Sequence, residues 1–126
     1  MNKDVNKRDM ILFGEEYNKD EYLGGARGFS DITLENLKRL VDEDFISLYE
    51  AQNSSPTTEE FIDFMESHPG FTVFGYAISP ERCDYRITIE GIQSNEMPDK
   101  ETLIDFVSNF RWADEFECDP PYAWWD

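Results

Sequence analysis

His68 is the only histidine in this chain of 126 residues, and Cys83 and Cys118 are its only thiols. Nucleophilic catalysis needs a nucleophile, a base and a group that orients the base. His68 stands in His68-Pro69-Gly70, a helix-stop sequence, where a histidine ordinarily serves the last carbonyls of its own helix. Cys83 lies beside Arg82, a neighbour that lowers a thiol pKa, but in a turn that offers no base. The two cysteines are 35 positions apart and form no Cys-x-x-Cys pair, so they read as reduced thiols. Asp42-Glu43-Asp44 is the densest carboxylate run, without the alternation and distal glutamate of a calcium loop. Gly24-Gly25-Ala26-Arg27-Gly28 lacks the Gly-Lys-Ser/Thr of a phosphate loop. No catalytic signature and no cofactor motif emerges, and the expectation is a protein that is not an enzyme.

What stands out is charge. Asp and Glu number 28 against 11 Lys and Arg, a net charge of −17. Residues 1–63 hold 15 acids and 7 bases and residues 64–126 hold 13 and 4, so the charge belongs to the whole domain and not to a tail. Direct nucleic-acid binding is excluded, because it requires cations against phosphates, and an anionic membrane surface is disfavoured. The charged N-terminus has no apolar stretch behind it, and the longest apolar run, Phe71–Ile78, is far below the ~20 residues of a membrane span. A cytoplasmic protein is expected. The aromatic fraction of 15% nevertheless requires a packed core, and the length suits one globular domain over 1–126.

The elements that would carry such a surface are legible in part. A first helix is expected from about Asp9 to Leu23, capped by Asp9, with Met10, Phe13 and Tyr17 on one face. A second starts at the Thr33 cap with a stripe of Leu34, Leu37, Leu40 and Val41, and stops at Asp42-Glu43-Asp44. Phe45–Ala51 reads as a short helical piece. Thr57-Thr58-Glu59-Glu60 is a capping box, followed by the inward set Phe61, Ile62, Phe64 and Met65. Phe71–Ile78 and Asp84–Ile92 form an antiparallel hairpin, with Tyr85, Ile87 and Ile89 inward, and a last helix runs from about Pro98 to Ala113. The fold class is α+β: N-terminal helices, a central antiparallel β-hairpin or small sheet, and a C-terminal helix. A hairpin alone is marginal, so a further strand is needed from Phe29–Ile32 or from the C-terminal segment.

That segment, residues 114–126, carries five acids, no bases and four aromatics. Tyrosine and tryptophan anchor interfaces, and carboxylates around them suit a cationic partner. The expected function is a non-enzymatic interaction module or inhibitor that presents a negative, nucleic-acid-mimicking surface to a basic protein, in its most concrete form a nucleic-acid-binding one. The partner-binding candidates are Asp42, Glu43 and Asp44; Glu59, Glu60 and Asp63 of the capping-box helix; Asp114, Glu115, Glu117 and Asp119; and Tyr122, Trp124 and Trp125 as anchors. At least one of the two tryptophans is expected to fold back over the core instead. Two alternatives are an immunity-type protein that neutralises a cognate toxin, and a small enzyme or ligand-binding domain with a pocket between hairpin and helices.

Gly75-Tyr76-Ala77-Ile78-Ser79-Pro80, Asp84-Tyr85-Arg86-Ile87 and the terminal Trp124-Trp125-Asp126 together resemble short acidic bacterial proteins of no assigned function. The resemblance spans most of the chain and implies no particular fold, activity or site. The order of helices and hairpin is also similar in outline to a winged helix, but Glu59–Glu66, in the place of the recognition helix, holds four acids and no base, which does not suit a DNA groove.

Overall fold

The computed structural model describes all of residues 1–126, as four α-helices on one face of a five-stranded antiparallel sheet. The helices are α1 (Val5–Phe13), α2 (Leu34–Asp42), α3 (Thr58–Ser67) and α4 (Lys100–Phe110). The strands are β1 (Ala26–Ile32), β2 (Thr72–Ile78), β3 (Ile87–Gln93), β4 (Glu115–Cys118) and β5 (Pro121–Trp124), in the order β1-β2-β3-β5-β4. The chain is an α+β protein, and it ends in a strand and not in a helix. Phe29–Ile32 and the C-terminal segment both supply strands, so the expected hairpin β2–β3 becomes the middle of a sheet and not the wing of a winged helix.

The caps fall where side-chain oxygens can satisfy free amides. Thr33 accepts from Asn36 N, Thr57 and Glu60 close both bonds of the capping box, and Asp99 accepts from Thr102 N at 2.8 Å. These bonds from the Thr102 amide and hydroxyl hold the Asp99 carboxyl below its ordinary pKa. The first helix departs from expectation. Asp4 caps it, and Gly14, at φ 74°, ends it in the left-handed conformation that a glycine takes without penalty. A glycine that read as an interior residue is the stop, so Asp9 lies inside the helix and Met10 is exposed. Phe45–Ala51 forms turns and no helix, although Phe45 and Ile46 are buried.

The sheet meets the helices through Phe29, Ile32, Val73, Ala77, Ile87, Ile89, Ile92 and Ala123. Two bulges flank β2. One extra residue enters β1 between Phe29, opposite Gly75, and Ile32, opposite Val73. Glu90 is the extra residue of β3, between Ile89, opposite Gly75, and Ile92, opposite Val73. Each bulge lets two residues three apart face the same core, which the even alternation expected for β3 does not allow. Gly75 sits between both: a Cβ there would overlap the carbonyl oxygen of Thr88. Because the obstacle is backbone, Gly75→Ala is expected to cost about 1–3 kcal/mol or more; an unchanged urea midpoint would show that the bulge is not held in solution.

Above this floor the helices pack by aromatic contact. Phe64 meets Phe71 and Phe110 edge-on at 5.0 and 4.9 Å, and Phe106 stacks on Phe71 at 5.4 Å and on Phe116 at 5.3 Å. At the other end, Arg8 and Asp9 of α1 are fully buried as a pair at 2.9 Å. Arg8 also donates to the Ile78 carbonyl and to the Tyr22 hydroxyl, which in turn donates to Asp9.

Candidate binding face

The sheet face turned away from the helices gathers aromatic and acidic side chains. In an antiparallel pair, residues directly opposite each other share a face. The register therefore places Phe74, Gly91, Trp124 and Glu115 in one row, and Thr72, Gln93, Tyr122 and Glu117 in the next. Phe74 and Tyr122 stack at 5.4 Å with rings nearly parallel at 9°. Gly91 allows this arrangement, since a Cβ on it would overlap the Phe74 ring and the Ala123 carbonyl. The bulge residue Glu90 reaches the same face, where its carboxylate accepts from Trp124 Nε1 at 3.4 Å.

Phe74, Tyr122 and Trp124 remain half-buried, with no helix above them, and Glu115 and Glu117 are exposed. Glu90, Glu115 and Glu117 have no cationic partner. Elsewhere most of the cations are occupied. Lys7, Arg8, Lys19, Arg27, Lys38, Arg82 and Arg86 all pair with carboxylates, seven of the chain's eleven basic residues. The Tyr122 hydroxyl registers the local field: burial raises its pKa, and Glu115, Glu117 and Glu90 raise it further. The face is an aromatic floor in a negative potential, suited to a cation that can lie on a ring and meet a carboxylate.

The other acids named from the sequence lie apart from it. Asp42 is exposed at the end of α2, while Glu43 pairs with Lys7 at 2.9 Å and Asp44 with the N-terminal amine at 3.5 Å. The Glu43 carbonyl also accepts from Asn2 Nδ2, so this run closes the corner between the N-terminus and α2. Glu59, Glu60 and Asp63 are exposed on α3, with Glu60 engaged in the capping box. Asp114 accepts from the Asp126 amide, and Asp119 is exposed in the two-residue loop, whose Asp119–Pro120 peptide bond is cis. The three acidic groups stand on three separate elements and form no single site.

Trp125 is a correction. It was a candidate anchor, yet it is 1% exposed, packed against Phe61 and Phe110 at 5.9 Å each and against Trp112 at 5.7 Å. Tyr122 and Trp124 alternate with Ala123 and Trp125 along the terminal strand, so one tryptophan faces out and the next faces the core. Phe74, Glu90 and Gly91 belong to the face without having been candidates. The available signal was Gly91, a glycine inside a β-branched run, which marks a close approach of something to the strand.

Clefts lie elsewhere, two of them beside His68 and Arg86. One of about 520 Å³ is bounded by Ser67–Phe71, Ser94–Asp99 and Thr102. At its rim the ring of His68 bridges α3 to α4, with Nε2 2.7 Å from Asp105 and Nδ1 3.2 Å from Thr102, instead of reaching back to its own helix. The second, of about 320 Å³, lies between Tyr76, Arg86 and Thr88 and the Glu50–Thr58 loop. Arg86 there is already bonded to Asp84, Thr88 and Tyr76. Slight desolvation works against the Asp84 charge, but the bonds from Arg82 and Arg86 outweigh it and leave this carboxyl below its ordinary pKa. Nowhere do three His, Cys, Asp or Glu side chains gather as ligands for a metal ion. No helix is long and apolar enough to cross a membrane.

Fold and surface together define an α+β protein with one sheet face covered by helices and the other left acidic and aromatic. Compared with protein-family models, curated proteins and solved structures, the chain matches none.

Proposed function

We propose that this protein is a non-enzymatic interaction module that engages a basic protein through the helix-free face of its sheet. Its fullest form is an inhibitor seated in a nucleic-acid-binding cleft, where Glu90, Glu115 and Glu117 take the places of phosphates. The observation that carries this reading is the row pairing of Tyr122 with Glu117 and of Trp124 with Glu115, aromatics and carboxylates side by side with no cation of the chain's own. Rings supply contact area and charge supplies steering, the two properties an interface to a basic surface uses. The free thiols Cys83 and Cys118 accord with a cytoplasmic site of action.

The test is affinity capture from the source organism's lysate after nuclease treatment, followed by association kinetics with the retained protein. Reversal of Glu90, Glu115 and Glu117 to lysine is expected to slow association by about tenfold or more at low salt and to flatten its salt dependence. The matched reversal of Asp42, Glu43 and Asp44 should leave the rate within about twofold. Equal effects of both triples would mean that net charge and not this face governs binding, and would overturn the assignment.

A further inference from the structure

The two edges of the sheet are unlike. β1, at one edge, is interrupted by its bulge, and Asp31 there has φ 57°, which breaks the straight line of amides and carbonyls that an added strand would need. β4, at the other edge, pairs with β5 residue for residue from Glu115–Trp124 to Cys118–Pro121 without a shift. No backbone hydrogen bond beyond those to β5 reaches Glu115–Cys118. The outer edge of β4 is thus a regular, unpaired row of donors and acceptors, and it borders the acidic aromatic face.

Resting on the proposed function, we infer that the basic partner is recognised as an extended segment that adds a sixth strand to β4 and carries arginine or lysine at alternate positions. A strand has a side-chain period of two, so every second residue of the incoming segment would share a face with Glu115 and Glu117. Directly opposed side chains in adjacent strands stand about 5 Å apart, close enough for each cation to meet its glutamate. The long arginine side chain then reaches past the carboxylate to Trp124 and Tyr122, one strand further in. The same geometry rejects a second copy of this chain. Two β4 edges would oppose glutamate to glutamate, between molecules that each carry a net charge of −17. The edge therefore discriminates by charge between self and partner.

Four synthetic peptides of eight residues separate this inference from the reading beneath it. The first alternates arginine with threonine, and the second has the same composition with its arginines contiguous. The third and fourth repeat the first with N-methyl groups on the amides of one edge or of the other. With the intact protein, followed by tryptophan fluorescence and amide exchange of Glu115–Cys118, the alternating peptide is expected to bind about tenfold more tightly than the block isomer. N-methylation is expected to abolish that advantage on one edge only, because alternate amides of a strand point to opposite sides. Equal affinity for alternating and block peptides, with both lost on reversal of Glu115 and Glu117 to lysine, would overturn strand addition and leave the acidic interaction face standing. Binding of neither peptide would overturn both. A dimer in sedimentation would put a second copy on the edge and overturn the inference as well.

Discussion

Replacement of Arg8 by methionine is expected to destabilise the fold by about 3–5 kcal/mol, because it strands the Asp9 carboxylate in the interior. Asp9 has no exposure at all, and its ion pair with Arg8 is completed only by the Tyr22 hydroxyl. Arg8 in addition ties α1 to the end of β2 through the Ile78 carbonyl and lies over the Tyr85 ring at 4.7 Å. Removing all the polar members together, as Arg8→Met, Asp9→Leu and Tyr22→Phe, is expected to recover most of the loss, since a buried pair is weak against a well-packed apolar replacement. Urea unfolding of the single and triple variants measures both. A single-variant loss under about 1 kcal/mol would show that water reaches Asp9.

The same network sets an alkaline limit. Burial, and then the bond to Asp9, push the Tyr22 pKa well above its ordinary value of 10.0, and burial raises that of Tyr85 as well. In the unfolded chain both tyrosines ionise near 10, while the folded protein keeps both protons. Their contribution to stability is therefore complete below pH 10 and declines as the pH rises toward the folded-state values. The urea midpoint should fall from about pH 10 upward, and less steeply in Tyr22→Phe.

Trp125→Ala is the second large effect, expected at about 3–5 kcal/mol through loss of contacts and the cavity left behind. The indole closes the aromatic cluster between α3 and α4 by meeting Phe61 and Phe110, and Trp112 lies against its outer side. Its Nε1 is the one buried side-chain polar atom with no hydrogen-bond partner. Trp125→Phe keeps much of the ring contact and gives up no hydrogen bond, so its cost should be less than half that of alanine. A cost for phenylalanine equal to that for alanine would mean that the indole N–H is bonded in solution. Trp124→Ala, by contrast, uncovers no core and should leave the midpoint within about 1 kcal/mol, the range of a surface change, while weakening partner binding.

Local chemistry alone determined several parts of this protein. The Thr33 cap, the Thr57–Glu60 capping box and the inward set Phe61, Ile62, Phe64 and Met65 follow from side-chain oxygens and a 3.6-residue period, both written within a few positions. The hairpin of β2 and β3 follows from turn residues between apolar runs. The net charge is a count and needs no fold. Where Gly14 stops α1, the sequence was ambiguous, because a glycine suits a C-cap and is merely tolerated in a helix interior.

The face itself was decided by tertiary structure. Glu115, Glu117, Tyr122 and Trp124 were visible as an acidic aromatic segment, but their division into outward and inward sets awaited the pairing of β5 with β3. That pairing sends Tyr122 and Trp124 out and Ala123 and Trp125 in, and a slip of one residue would reverse the assignment. Glu90 faces out by the alternation legible in the sequence, whereas the bulge after Ile89 turns Gly91 to the same side, and Phe74 lies there only because Gly91 leaves room for its ring. Asp9 read as a helix cap, and its burial with Arg8 became visible only once Tyr22 and Ile78, 14 and 70 positions from Arg8, supplied the hydrogen bonds. Periods and caps are local and so can be read from neighbours in the chain. Register, bulges and buried charge depend on which distant backbone arrives alongside, and only the folded sheet fixes that.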